Sequence, residues 1–313
     1  LIFEKFPVFK KLTEEKIMDP ILKQRRTWKR ACVKKSATPL KENTDQKIQK
    51  IIYQGKSALS IIYKSQMHLK NLTFIKSATE FLEEKGLPFS RLIFFENTKN
   101  GYNSIWTLKE GKIKSNWTTL EYKAFGSFLG KMHLISKNYK ESILYSPPVI
   151  LSLKDEYENI KEFLPSCFDS IYPLLKKIEE RWPLFLSTGI VHTDLFPKNI
   201  LFDKGKVSGI LQNHKMQIDV LLYDLTSIIK SIYFTNVENM KENEEAFFSS
   251  YCKYQNLDQS EFYAIPVLTA AKFLHTAIFL IKKHLSSVEF THAHLNAAAI
   301  SLIHAEKALH LFE

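Results

Sequence analysis

Short apolar runs, not long ones, fill the first third of the chain. Isoleucine-rich stretches at 48–53 and 58–63 flank Gln54 and Gly55, which predicts a β-hairpin. Over 74–85 the apolar spacing becomes helical, and Gly86 and Pro88 stop it. Two further strands are expected at 91–95 and 104–108, around Lys99, Asn100, Gly101 and Tyr102. From Thr119 to Ile135 the period turns helical again, and two more helices are expected at 153–164 and 171–182, the second closed by Trp182 and Pro183. Brief β-prone runs at 189–191 and 200–202 follow, and after Asp224 the pattern is helical throughout. The fold class this implies is α+β, with a small antiparallel sheet region first and a larger, mostly helical region after it. Residues 263–281 are apolar enough to raise the question of a membrane span. Pro266, Lys272 and His275 interrupt them, so a buried core helix is expected and no membrane.

Between the two β-prone runs lies GIVHTDLFPKNILF, residues 189–202. His192, Asp194 and Asn199 have the H-x-D-L-x-x-x-N spacing of the catalytic loop of kinases. Phosphoryl transfer calls for a carboxylate beside the acceptor hydroxyl and, a loop-turn away, an amide oxygen on a magnesium ion. Asp194 and Asn199 supply those two groups from one short loop.

Downstream, the chain reads KVSGILQN at 206–213 and LYDLT at 222–226. With the loop, these segments resemble homoserine kinases of the choline kinase and aminoglycoside phosphotransferase superfamily, whose members read much like GVIHADLFPDN, LSGLIDFY and AYDLA. The resemblance starts at 178, runs without gaps to about Phe234, and covers most of the chain from Ile48 more loosely. It implies a protein-kinase-like fold of two lobes. The N-lobe would span 36–111 with a hinge at 108–111, and the helical C-lobe 112–313 with its catalytic loop at 190–202. It further implies ATP and magnesium as cofactors, homoserine as the favoured acceptor and a place in threonine biosynthesis. Asp194 would be the catalytic base, Leu108 and Gly111 would flank the adenine, Asn199 would hold the metal, and His192 and Asp224 would have structural roles beside the site.

The resemblance breaks where chemistry would feel it most. In place of the family's Ile-Asp-Phe, which carries a magnesium carboxylate, the chain has Leu211, Gln212 and Asn213. A carboxylate brings a full charge and two strong oxygen ligands; an amide brings one neutral oxygen. Gln212 is thus either a weak metal ligand or an edge-strand residue of a pseudokinase that keeps the fold without the chemistry. The break is confined to 212–218, as a pair of compensating frameshifts would leave it, and the other two reading frames of the gene test that idea. A second loss lies at 37–46, where a glycine-rich turn over the phosphates is expected: the stretch has no glycine, and Pro39 removes one backbone donor.

Other candidates carry less. Lys56 and Lys64 are the nearest stand-ins for a phosphate-gripping lysine, and both read as exposed strand-end charges. Glu80 is placed to pair with such a lysine and reads as a surface carboxylate. His133, among Phe, Leu and Met, reads as a hydrogen-bonded core residue. His292, His294 and His304 lack acidic or cysteine partners and read as an amphipathic helix face.

Composition fits this picture. With 313 residues, 45% of them hydrophobic, the chain can bury a core on each side of a cleft. A net charge of +11 suits an anion such as a nucleotide phosphate. The lysines are spread along the whole chain, so nucleic acid is not expected as a partner. Residues 1–35 look helical and basic and read as a solvated face. Cys32, Cys167 and Cys252 have no metal-ligand spacing and read as reduced thiols of a cytoplasmic protein. The opening residues are too short and charged for a signal peptide, and a first residue other than Met suggests a processed or incomplete start. No repeat or Gly/Ser linker divides the chain, and nothing in it sets an oligomeric state.

Overall fold

The structure is a computed structural model that describes residues 41–43, 46–63, 69–99, 101–139, 149–164, 166–235, 240–286 and 292–310. The basic segment 1–35, the start of the expected glycine-rich turn and Lys64 lie outside the described residues.

Strands β1 (Lys41–Asn43), β2 (Gln46–Tyr53), β3 (Lys56–Tyr63), β4 (Leu92–Thr98) and β5 (Gly101–Thr107) form one antiparallel sheet in the order β1-β2-β3-β5-β4. Gln54 and Gly55 take φ of 50° and 74° at the tip of the β2–β3 hairpin, the two left-handed positions of a tight hairpin turn. The pair at 92–98 and 101–107 extends beyond the 91–95 and 104–108 expected from the apolar pattern, because the polar residues Glu96, Asn97 and Asn103 continue the ladder toward the turn. Helix α1 (Leu69–Glu84) buries Leu72, Ile75, Ala78 and Leu82 on one face. Its Thr79 hydroxyl accepts the Leu92 amide at 3.2 Å, which ties the helix to β4. Gly86, at φ 76°, ends it with a paired set of bonds, Leu87 N–H to the Leu82 carbonyl at 3.0 Å and Gly86 N–H to Glu83 at 2.9 Å.

After β6 (Lys112–Ile113) the chain enters the helical region through α2 (Thr119–Ser136), which a Thr118–Glu121 capping box starts. Helices α3 (Val149–Glu158), α4 (Ile171–Glu180), α5 (Leu222–Thr235), α6 (Met240–Tyr251), α7 (Gln259–Ser286) and α8 (His292–Leu309) follow. Gly126 lets α2 and α6 approach closely, since a Cβ there would sit 2.2 Å from the Phe247 carbonyl oxygen. Helix α7 meets the length and composition of a membrane span, but 78% of that window is buried against α8, α5 and their neighbours, as a core helix would be. Pro266 lies inside it without ending it.

Two small sheets join these regions. Strand β7 (Thr188–Val191) pairs with β10 (Gln217–Val220), and β8 (Ile200–Asp203) lies between β6 and β9 (Lys206–Ile210). The loop from His192 to Asn199 therefore hangs between two strands of different sheets. That fixes both its ends.

Candidate active site

Asp224 sets the geometry of the loop. Its fully buried carboxylate accepts the backbone N–H of His192 through Oδ2 and of Thr193 through Oδ1, each at 2.7 Å. Burial pushes the Asp224 carboxyl up, but the His133 imidazole beside it, His192 and the donated amide hold it below the usual carboxylate range. His133 is fully buried, with Nδ1 2.9 Å from the Tyr251 hydroxyl and Nε2 3.7 Å from Asp224 Oδ2. It is thus a core residue, as its apolar company suggests, and it also touches the loop's anchor. Thr193 takes φ 64°, a strained value for a β-branched residue. Three contacts hold it there: Asp224, the Lys215 carbonyl accepting the Thr193 hydroxyl at 3.1 Å, and the Lys272 ammonium on the Thr193 carbonyl.

His192 is a neutral strut. Burial lowers its pKa against the pull of Asp224 and Asp194. Nδ1 accepts the Asp194 amide at 3.3 Å, so Nε2 carries the proton and faces the Leu211 carbonyl at 3.0 Å and Asn213 Oδ1 at 3.1 Å.

Asp194 and Asn199 come together as the spacing predicts. Asn199 Nδ2 donates to the Asp194 carbonyl at 2.7 Å and to Asp194 Oδ2 at 3.2 Å, which leaves the amide oxygen as the ligating atom. Burial raises the Asp194 carboxyl, but Lys215 and Lys198, then His192 and Lys272, outweigh it and hold the group ionised. A carboxylate kept charged among cations is suited to orient a hydroxyl and accept its proton.

Leu108 and Gly111 lie in the segment that leaves β5 and crosses to β6, resting on β8 and β9. Gly111 has φ 136°, and a Cβ there would fall 2.2 Å from Ser208 Oγ and 3.1 Å from the Phe202 carbonyl oxygen, so only glycine fits.

Gln212 is not an edge-strand residue. It follows Leu211, whose N–H reaches the Asn199 carbonyl at 2.8 Å, and takes φ 61° before a tight turn at Asn213–Lys215. The left-handed backbone ends the strand there, and this is the physical reason the edge-strand reading fails. The replaced stretch is well integrated: Asn213 is fully buried and donates to the Ser90 carbonyl at 2.7 Å, bridging His192 to the sheet region. His214 lies 4.9 Å from Tyr63, which stacks on Tyr102 at 4.3 Å, and burial with Lys215 pulls its pKa down to about 3. On this side β3 turns Ala58, Leu59, Ile61 and Tyr63 inward and no lysine.

Magnesium finds a poor donor set. Among the described residues no three His, Cys, Asp or Glu side chains gather as a cation site. Asn199 and Gln212 offer neutral oxygens, and the one carboxylate, Asp194, is already surrounded by lysines. A hard divalent cation gripped by the chain itself does not fit these residues.

The remaining candidates are not brought to the loop. Lys56 is exposed at the start of β3, opposite Tyr53. Glu80 pairs with Arg91 at 3.2 Å, and Glu83 pairs with Arg91 and with Lys109 at 2.6 Å. His304 stacks on Phe273 at 5.1 Å within α8 and α7. Sequence reasoning passes over Asn213, Lys215, Lys230 and Lys272. The one signal for the last two is a lysine within an otherwise apolar helix.

The chain is similar to proteins of a known family. Residues 62–261 match the phosphotransferase enzyme family, APH. A homoserine kinase of Methylocella silvestris is 27% identical over 231 residues, 69% of this chain and 71% of that protein. Another, of Zymomonas mobilis subsp. mobilis, is 23% identical over 248 residues, 71% and 73% of the two chains. Among solved structures, a microcompartment-associated aminopropanol kinase superposes with a TM-score of 0.69 at 12% identity, over 87% of this chain and 91% of that one. Amicoumacin kinase in complex with AMP-PNP, Ca2+ and Ami gives 0.68 at 15% identity, over 87% of each chain. At these identities the structural likeness is one of fold, the two-lobed protein-kinase-like architecture.

Proposed function

The chain belongs to the phosphotransferase enzyme family, and on that premise we propose that it transfers the terminal phosphoryl group of ATP to the hydroxyl of a small acceptor, homoserine being favoured by resemblance. The observation that carries this reading is the ionised Asp194 carboxylate in a loop fixed by Asp224. The acceptor oxygen bonds to the γ-phosphorus as the bridging P–O bond to ADP breaks, and Asp194 takes the hydroxyl proton. Asn199 keeps the Asp194 carboxylate in place, and His192 stays neutral as a strut. In this reading 36–111 and 112–313 are the two lobes, adenine lies along Leu108 and Gly111, and the protein works in the cytoplasm.

A second reading is favoured by one observation. Gln212, where a metal carboxylate is expected, is an amide in a left-handed turn. The fold would then be that of a pseudokinase, in which Asp194 no longer meets a reactive nucleotide.

One experiment separates the two: calorimetric titration of ATP with and without magnesium, paired with an assay for phosphohomoserine. The first reading expects nucleotide binding and transfer, with Asp194→Ala lowering kcat by about 10²–10⁴ while sparing ATP affinity. No nucleotide binding at millimolar concentration establishes the second.

A further inference from the structure

Two buried lysines reach the loop from the helical region. Lys230 on α5 and Lys272 on α7 are 5% and 4% exposed. Together with the exposed Lys198, their ammonium groups surround the ring of Phe196, at 5.4 Å for Lys230, 5.7 Å for Lys198 and 5.9 Å for Lys272 from its centroid. Phe196 is bound directly to the candidate base, its N–H donating to the Asp194 carbonyl at 2.9 Å. Lys272 also lies 4.5 Å from the Tyr223 ring centroid, donates to the Thr193 carbonyl, and forms no ion pair with a carboxylate among the described residues. Lys230 donates to the Thr276 hydroxyl.

Such a cluster is costly by itself. Two ammonium groups taken out of water beside one another lose hydration and repel. Burial and then Lys272 bring the Lys230 ammonium down to about 7, and burial brings Lys272 down to about 8 against the pull of Asp194 and Asp224. The α5 and α7 faces that meet here, as the Lys272–Tyr223 and Lys230–Thr276 contacts show, also carry the buried hydroxyls of Ser227 and Thr269. These hydroxyls, one helical turn before each lysine, have no hydrogen-bond partner among the described residues. Two buried cations and two unsatisfied buried hydroxyls on one pair of facing helices form a site for a compact anion.

The direction of approach says which anion. The segment at 108–111 reaches β8 and β9 from the sheet side of the loop, whereas α5 and α7 reach Phe196 and Thr193 from the helical side. We propose that Lys230 and Lys272, with Lys198 at the rim, seat the carboxylate of the acceptor, so that the substrate is a short hydroxy acid whose hydroxyl meets Asp194. This deepens the phosphotransferase reading and rests on it for the placement of the hydroxyl.

The test is calorimetric titration of the full chain, without nucleotide, with L-homoserine and with its reduced counterpart 2-amino-1,4-butanediol, in two buffers of different ionisation enthalpy. Homoserine is expected to bind at least tenfold more tightly and to take up protons, because an anion beside Lys230 and Lys272 returns them to the ammonium form. Lys230→Met is expected to abolish both the preference and the proton uptake while leaving ATP affinity unchanged, and Lys230→Arg to restore the preference. Equal binding of the two compounds, binding of neither, or a preference that survives Lys230→Met overturns the proposal. A loss of ATP affinity in Lys230→Met overturns it in favour of a phosphate site. Binding with the expected preference but without phosphoryl transfer leaves the carboxylate seat standing and sinks the phosphotransferase reading alone.

Discussion

The two sides of the loop at 192–199 differ in how they are built. On the helical side every contact is charged or charge-assisted: Asp224 takes two backbone amides, Lys272 takes the Thr193 carbonyl, and Lys230 flanks Phe196. On the sheet side the hydrogen-bonding and ring contacts are neutral, an amide (Asn213), a low-pKa imidazole (His214) and two stacked tyrosines, and among the described residues Lys215 is the one charge there that acts on Asp194. The apparatus for holding the loop is thus dense, and among the described residues the apparatus for holding phosphates and metal is thin. A fold can keep one half of a reaction site while the other half is rebuilt, because the two halves rest on different elements.

Four substitutions break or sharpen that contrast. Asp224→Ala has the largest expected effect, since it leaves one buried and one half-buried amide without an acceptor and costs roughly 3–5 kcal/mol in chemical denaturation. A loss under about 1 kcal/mol would mean the loop is held by something else. Next comes Glu244 on α6, buried with neither oxygen partnered among the described residues, its carboxyl pushed up to about 8 by burial and by Glu245. The fold keeps this proton while the unfolded chain releases it near pH 4, so the group makes stability fall as pH rises from about 4 to 8, by roughly 1.4 kcal/mol per unit. Glu244→Gln should flatten that slope when denaturation is followed from pH 5 to 8. An unchanged slope would place the pH dependence elsewhere.

Gly111→Ala ranks third, at about 1–3 kcal/mol, for the strain of a side chain at φ 136° against Ser208 and the Phe202 carbonyl. Its stability should drop and ATP affinity with it; a silent variant would show that the crossing segment is not tightly seated. The smallest effect is a gain. Gln212→Asp puts a carboxylate at a left-handed position that Asp tolerates, and magnesium should then tighten ATP binding by about tenfold. If magnesium still has no influence, the sheet side lacks more than one charge.

The order of elements is readable from the chain because it depends on local periodicity: the β2–β3 hairpin, α1, α2 and the helices after Asp224 all follow it. Asp194 and Asn199 are readable too, since one short loop holds both. Lys230 and Lys272 are not, for they meet Phe196 only through the packing of α5 against α7, and in the sequence Lys272 registers simply as a charge that argues against a membrane span. Strand β10 and the buried Asn213 are missed for another reason. Asn213 lies in the stretch 212–218 where the resemblance fails and β10 begins there, and its Gln-Ile-Asp-Val alternates polar and apolar over only four residues, the shortest run that reads as a strand.

Thr193 has one more consequence, in time rather than in space. Its left-handed backbone, at φ 64°, is held by groups that all come later in the chain, 22 residues on at Lys215, 31 at Asp224 and 79 at Lys272. As the polypeptide leaves the ribosome, residues 192–199 are out well before any of their clamps. The last of the three clamps is therefore in place only once α7 has been synthesised and has docked, which sets the loop fully long after its own residues have emerged.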